Sequence, residues 1–137
     1  MITLRTAQLE EIFAHAQEAT PFECCGLIGG ANDRATSIHP LRNVASKPQI
    51  AYEAAPEELF AAQRRMRERG EQLLAIYHSH PRSMEPVPSE TDVRLAYYPA
   101  AIYLILGLGG VTPIMRGYRI SERDKTWQQV EYAVADE

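Results

Sequence analysis

Disulfides cannot hold this chain together, because its two cysteines are the neighbours Cys24 and Cys25. Adjacent thiols close no useful loop, which excludes a disulfide framework and makes a reducing, cytoplasmic setting the expectation. Long apolar runs are missing as well. Nothing approaches the roughly 18 apolar residues of a membrane span, and Met1-Ile2-Thr3-Leu4-Arg5 lacks the apolar stretch of a secretory signal. Positive charge is scarce: 14 basic against 18 acidic residues leave a net charge of -4. That balance argues against a nucleic-acid surface, which needs a basic face. Arg64, Arg65, Arg67 and Arg69 do crowd one segment, but Glu68 and Glu71 interleave with them, as on a solvated helix face. Histidine is sparse, with four in the chain, so metal centres built from large histidine clusters are disfavoured. Internal repeats and low-complexity tracts are absent.

What remains is 137 residues, 45% apolar and 23% charged. Those proportions predict one globular domain over residues 1–137, large enough for a core of its own. A short strand is expected at Ile2-Thr3-Leu4. A helix over 6–19 follows, with Thr6 as N-cap and Leu9, Ile12, Phe13 and Ala16 facing inward. Pro21 bars its continuation. Cys24 to Gly30 reads as a buried strand, Asn32-Asp33 as a turn, and Ala35 to His39 as the partner strand. Residues 40–55 look irregular, with a short extended piece near Tyr52. Pro56, Glu57 and Glu58 suit the start of a second helix and Gly70 its stop, with Leu59, Phe60, Gln63 and Met66 as the inner stripe. Leu73 to Tyr77 is a short strand that delivers His78 at its end, and Ser89 opens a third, shorter helix. Ala101–Leu108, Ile114–Ile120 and Trp127–Val134 complete the strands. Helices and strands interleave early and strands dominate late, which predicts a mixed sheet with helices packed on it, an α+β fold.

The chemistry concentrates in His78-Ser79-His80-Pro81 and Ser89-Glu90-Thr91-Asp92. Side chains two apart on an extended segment share a face, so His78 and His80 can aim at one point while Ser79 faces away. Pro81 then ends strand pairing. Asp92 supplies a carboxylate one turn into the next helix, completing a two-His, one-carboxylate set that leaves a fourth position for water. Each residue has a plainer reading: two surface histidines at a strand end, a helix-start charge, and Ser89 as the cap of a Ser-x-x-Asp box. Glu23 alone reads as an ordinary exposed carboxylate before a strand. His15 and His39 read as structural or exposed. At least one of Cys24 and Cys25 should be core, and a catalytic thiol has no histidine clearly placed to activate it.

Taken together, these segments resemble the JAMM/MPN metalloproteases, the Mov34/MPN/PAD-1 or JAB type. The signature of that family is a Glu, then His-Ser/Thr-His-Pro, then Ser-x-x-Asp. Upstream, Pro21-Phe22-Glu23-Cys24-Cys25-Gly26-Leu27 is similar to the family's Pro-x-Glu-x-Cys-Gly-Leu segment, and the likeness in order and spacing runs from about residue 5 to 120. Eleven residues separate His80 from Asp92, one more than is usual, and the extra one falls in the Arg82–Pro88 loop. The resemblance implies an MPN/JAB domain, cytidine-deaminase-like, with a largely antiparallel central sheet flanked by helices. It implies one zinc per chain on His78, His80 and Asp92, with Glu23 as general base and Ser89 as hydrogen-bond donor to the oxyanion. Ser79 is left a supporting role.

The compact chain is similar to the stand-alone prokaryotic members. Some of these trim the tail of a ubiquitin-like sulfur carrier after Gly-Gly, or release cysteine formed on it. The expected substrate is therefore such a carrier, whose tail could add a strand beside the active site. A non-catalytic MPN scaffold, or a hydrolase of small peptides or amino-acid conjugates, are the alternatives. Nucleic acid and membrane are not expected partners, and the oligomeric state stays open.

Overall fold

The computed structural model describes residues 1–136. In chain order the elements are β1 (Thr3–Arg5), α1 (Thr6–Ala19), β2 (Cys25–Ala31), β3 (Arg34–Leu41), α2 (Pro56–Glu68), β4 (Gln72–His80), α3 (Glu90–Arg94), β5 (Ile102–Gly107), β6 (Ile114–Ser121), β7 (Thr126–Val130) and β8 (Ala133–Ala135). Among the described residues the strands form one sheet in the order β7-β6-β5-β4-β2-β3-β1-β8. Parallel pairing joins β4 to β5 and β1 to both β3 and β8, and the other neighbours are antiparallel. The expected mixed, largely antiparallel α+β architecture is thus present.

The β2–β3 hairpin forms where Asn32 and Asp33 were read as a turn. Both take positive φ, 53° and 62°, the left-handed pair that a two-residue hairpin requires and that Asn and Asp tolerate. β4 lies at the centre of the sheet, paired with β2 on one side and β5 on the other. Both faces of these strands are buried. Cys24, Ile28, Tyr77 and Leu104 pack with α1 on one face, while Cys25, Leu27, Ile76 and Ile105 pack beneath α2 and α3 on the other. A strand covered twice needs no polar alternation, which explains the unbroken run Ile102 to Leu106.

Three expectations need correction. Thr6 is the first helical residue and Arg5 is the cap; Gln8 closes that end by accepting from the Arg5 N–H at 2.8 Å. On α2, Phe60 is 66% exposed, and the inner stripe is Leu59, Ala62 and Met66. Six positions from Met66 puts Phe60 about 120° off the buried face. Trp127–Val134 is not one strand: β7 pairs with β6, whereas β8 lies beside β1 at the opposite edge. At the histidines β4 pairs with β5 through His80 but with β2 only as far as His78, and β7 and β8 are the edges of the sheet.

Candidate active site

His78 and His80 close β4, and parallel pairing opposite Ile105 and Gly107 keeps that end extended. Alternation then turns both imidazoles to the α3 side, where His78 Nε2 stands 3.2 Å from His80 Nε2. Asp92 reaches the same point from α3. Its Oδ2 lies 3.1 Å from His78 Nε2 and 3.0 Å from His80 Nε2. Ser89 holds the carboxylate in place through a capping box: the Ser89 N–H donates to Asp92 Oδ2 at 2.9 Å, and Ser89 Oγ accepts from the Asp92 N–H at 3.0 Å.

These three atoms fit a small divalent cation. Bonds of about 2.0–2.2 Å in a tetrahedral arrangement place ligand atoms about 3.3 Å apart, close to the observed triangle. The nitrogen and oxygen donors are also those zinc accepts. Burial works against charge on Asp92, yet the adjoining His78 and His80 and the Ser89 N–H hold it well below the usual carboxylate range. Burial likewise disfavours the His80 cation, but the Asp92 contact outweighs it and raises the histidine. Metal binding at this histidine would compete with a proton.

Glu23 enters from the residue pair before β2. It is 5% exposed, and its Oε1 is buried without a hydrogen-bond partner among the described residues. Burial pushes its carboxyl up to about 7, with the Asp92 charge reinforcing and His80 opposing the rise. Glu23 is thus a buried carboxyl, one oxygen of which has no partner among the described residues, close enough to His80 and Asp92 to feel both charges. The backbone around it is pinned. Its N–H donates to Pro48 O at 2.7 Å, and the Cys24 N–H donates to Ser79 Oγ at 2.8 Å. Ser79, between the two histidines but pointing to the other face, thus ties the Glu23–Cys24 peptide to β4, the supporting role expected of it.

The other titratable candidates lie elsewhere. Both cysteines are buried, and burial lifts Cys24 to about 11 and Cys25 to about 12, so neither is a thiolate near neutral pH. His15 Nδ1 lies 2.7 Å from the Tyr77 hydroxyl and His39 Nε2 lies 2.8 Å from Ser37 Oγ; both are structural. Tyr52 and Asn43 escaped the sequence reading. The Tyr52 ring stacks on His78 with centroids 4.5 Å apart, and fixes an imidazole whose Nδ1 has no partner among the described residues. Neither residue sits in a motif, and only chain crossing brings the 43–54 loop here. Beside Asp92 opens a cavity of about 200 Å³, lined by Leu41, Tyr52, Leu59, Tyr98 and Tyr103. A 150 Å³ apolar cavity holds benzene, so this one has room for a single side chain.

A mixed sheet that carries a His-x-His strand end, a helix-borne aspartate and a buried glutamate defines a JAMM-type metalloprotease domain of the JAB/MPN class. The chain belongs to the family described as prokaryotic homologs of the JAB domain, whose model matches residues 5–121. It is 37% identical over 115 residues to a desampylase of Haloferax volcanii, covering 80% of this chain and 82% of that one. It is 39% identical over 103 residues to a probable TtuB-protein conjugate cleaving protease of Thermus thermophilus, covering 75% and 68%. A CysO-cysteine peptidase of Mycobacterium tuberculosis is 32% identical over 108 residues, at 77% and 73% coverage. Among solved structures, protein DSY2949 of Desulfitobacterium hafniense superposes with a TM-score of 0.86 at 35% identity, over 100% of this chain and 94% of that one. AF2198 of Archaeoglobus fulgidus, a JAB1/MPN domain protein, gives a TM-score of 0.65 at 19% identity over 98% and 97%, and bears on the fold alone.

Proposed function

We propose that this protein is a zinc-dependent peptidase or isopeptidase that hydrolyses the bond at the C-terminal tail of a ubiquitin-like or sulfur-carrier protein. The observation that carries the reading is the buried Glu23 oxygen, partnerless among the described residues and within reach of the charges of a His78–His80–Asp92 triangle of cation size. Zinc held there would supply a Lewis acid and a water whose pKa falls to about 7. Glu23 takes the proton of the attacking water and returns it to the amine as the C–N bond breaks, leaving a carboxylate and a free amine. Ser89 Oγ accepts from the Asp92 N–H, which leaves its own proton free to donate to the carbonyl oxygen as charge develops there.

The choice of substrate is supported by the three relatives, a desampylase, a probable TtuB-protein conjugate cleaving protease and a CysO-cysteine peptidase. The reading takes residues 1–137 as one catalytic domain. Two free, buried cysteines support a cytoplasmic setting, and among the described residues no helix is long and apolar enough to cross a membrane. A non-catalytic scaffold would have no use for a complete ligand set with a base beside it. The test is to incubate the zinc-loaded protein with small carriers in which Gly-Gly is followed by one or two residues, by cysteine, or by a lysine isopeptide. Intact-mass spectrometry should show tail release that a chelator stops and zinc restores. Hydrolysis of free dipeptides without carrier cleavage would establish the small-peptide reading instead, and carrier binding without any hydrolysis the scaffold.

A further inference from the structure

We infer that Asn43 is the positioning residue for Glu23: its side-chain amide clamps the Glu23 carbonyl to the 43–54 loop and so sets where the carboxylate stands over the metal ligands. The inference rests on Glu23 being the base. Asn43 uses its whole hydrogen-bonding capacity in this one task. Its Nδ2 donates to Glu23 O at 2.9 Å and to Ala51 O at 3.0 Å. Its Oδ1 accepts from the Ala45 N–H and the Glu53 N–H, each at 3.0 Å. Two carbonyls on one side and two N–H groups on the other fix the amide's orientation, since the flipped amide would oppose like to like at all four contacts.

Glu23 needs such a clamp. Its Oε1 has no partner among the described residues, so nothing on that oxygen guides the side chain, and its position is inherited from the backbone. Three bonds hold that backbone: the Glu23 N–H to Pro48 O, the Cys24 N–H to Ser79 Oγ, and the Asn43 amide on the Glu23 carbonyl. Two of the three come from the 43–54 loop. Asn43 hydrogen-bonds both to Glu23 and to the rest of that loop, which a bridge to Ala54 and the Val44 N–H on Glu53 O at 2.8 Å fold back on itself. None of its hydrogen bonds reaches His78, His80 or Asp92 directly, so its loss should be felt in the chemical step more than in metal binding.

Two variants cut the clamp on opposite sides. Asn43→Asp keeps an acceptor for Ala45 and Glu53 but sets a carboxylate oxygen against the Glu23 and Ala51 carbonyls. Ala45→Pro removes one loop-side bond and leaves the Glu23 contact intact. With a carrier-tail substrate, Asn43→Asp should bind one zinc with an affinity within threefold of wild type and keep KM within threefold. Its kcat should fall roughly 10- to 100-fold, the scale of a misplaced catalytic group. Ala45→Pro should lower Tm as much or more while kcat stays within threefold. If Asn43→Asp does not fold, Asn43→Ala, which adds no charge, should show the same split. The inference is overturned if kcat stays within twofold of wild type, if zinc affinity falls in step with kcat, or if both variants lose activity in proportion to Tm. Glu23→Gln run alongside separates the two readings: an active Glu23→Gln sinks the base assignment itself, whereas an inactive one beside a fully active Asn43→Asp sinks only the clamp.

Discussion

Replacing Glu23 by glutamine should make the metal-free protein relatively more stable as pH rises while removing its activity. Burial lifts the Glu23 carboxyl from its ordinary 4.5 to about 7. Below pH 4.5 both folded and unfolded chains carry the proton, and no penalty exists. As pH rises from 4.5 to 7 the unfolded chain releases this proton while the folded protein keeps it, so stability is lost over that window and levels off above it. At about 1.4 kcal/mol for each pH unit, the full penalty is roughly 3 kcal/mol. Between pH 5 and 8 the stability of Glu23→Gln should therefore gain on wild type by about 2–3 kcal/mol. The measurement is urea denaturation of chelator-treated wild type and variant at pH 5, 6, 7 and 8, comparing the difference at each pH so that other titrating groups cancel. Zinc loading should close most of the gap, because a nearby cation favours the Glu23 charge. Carrier cleavage by the zinc-loaded variant should fall about 10²–10⁴-fold, the usual worth of a general base. A gap that does not change between pH 5 and 8 would refute the burial argument, and wild-type turnover would refute the role.

His80→Ala removes one corner of the triangle without adding charge; elemental analysis should show zinc falling from one per chain to a small fraction, and retention of full zinc would disprove the ligand set. Ser89→Ala deletes a cap hydroxyl and an oxyanion donor together, so thermal melts should show a loss of about 1 kcal/mol and steady-state kinetics a kcat loss of about 10²–10³-fold. Ser79→Ala strands the buried Cys24 N–H, at a cost of roughly 1–3 kcal/mol; calorimetry should record a Tm lower by several degrees, with zinc content unchanged.

The chemistry was readable in one dimension wherever it depended on neighbours in the chain. His78 and His80 share a face because alternation is a property of extended backbone. Ser89 and Asp92 cap one another because three residues make a helical turn, and Asn32-Asp33 turns because both residue types tolerate positive φ. Local order also marked α2 and the buried strand after Glu23. It did not settle which way α2 faces: Phe60 is as apolar as Leu59, and only the packing of Met66 and Ala62 onto the sheet chose between them. Nor could alternation reveal that Trp127–Val134 divides between opposite edges of the sheet.

By itself, then, the sequence offered His78, His80 and Asp92 at a spacing set by short-range geometry and, through the family it resembles, the class of reaction. The tertiary structure decided what surrounds them. It brought Glu23 to the tripod by pairing Cys25 opposite His78, buried it until its carboxyl rose to about 7, and folded the 43–54 loop over it with Tyr52 and Asn43. Burial and long-range hydrogen bonds depend on which distant segments meet, and no local pattern in the chain encodes that meeting.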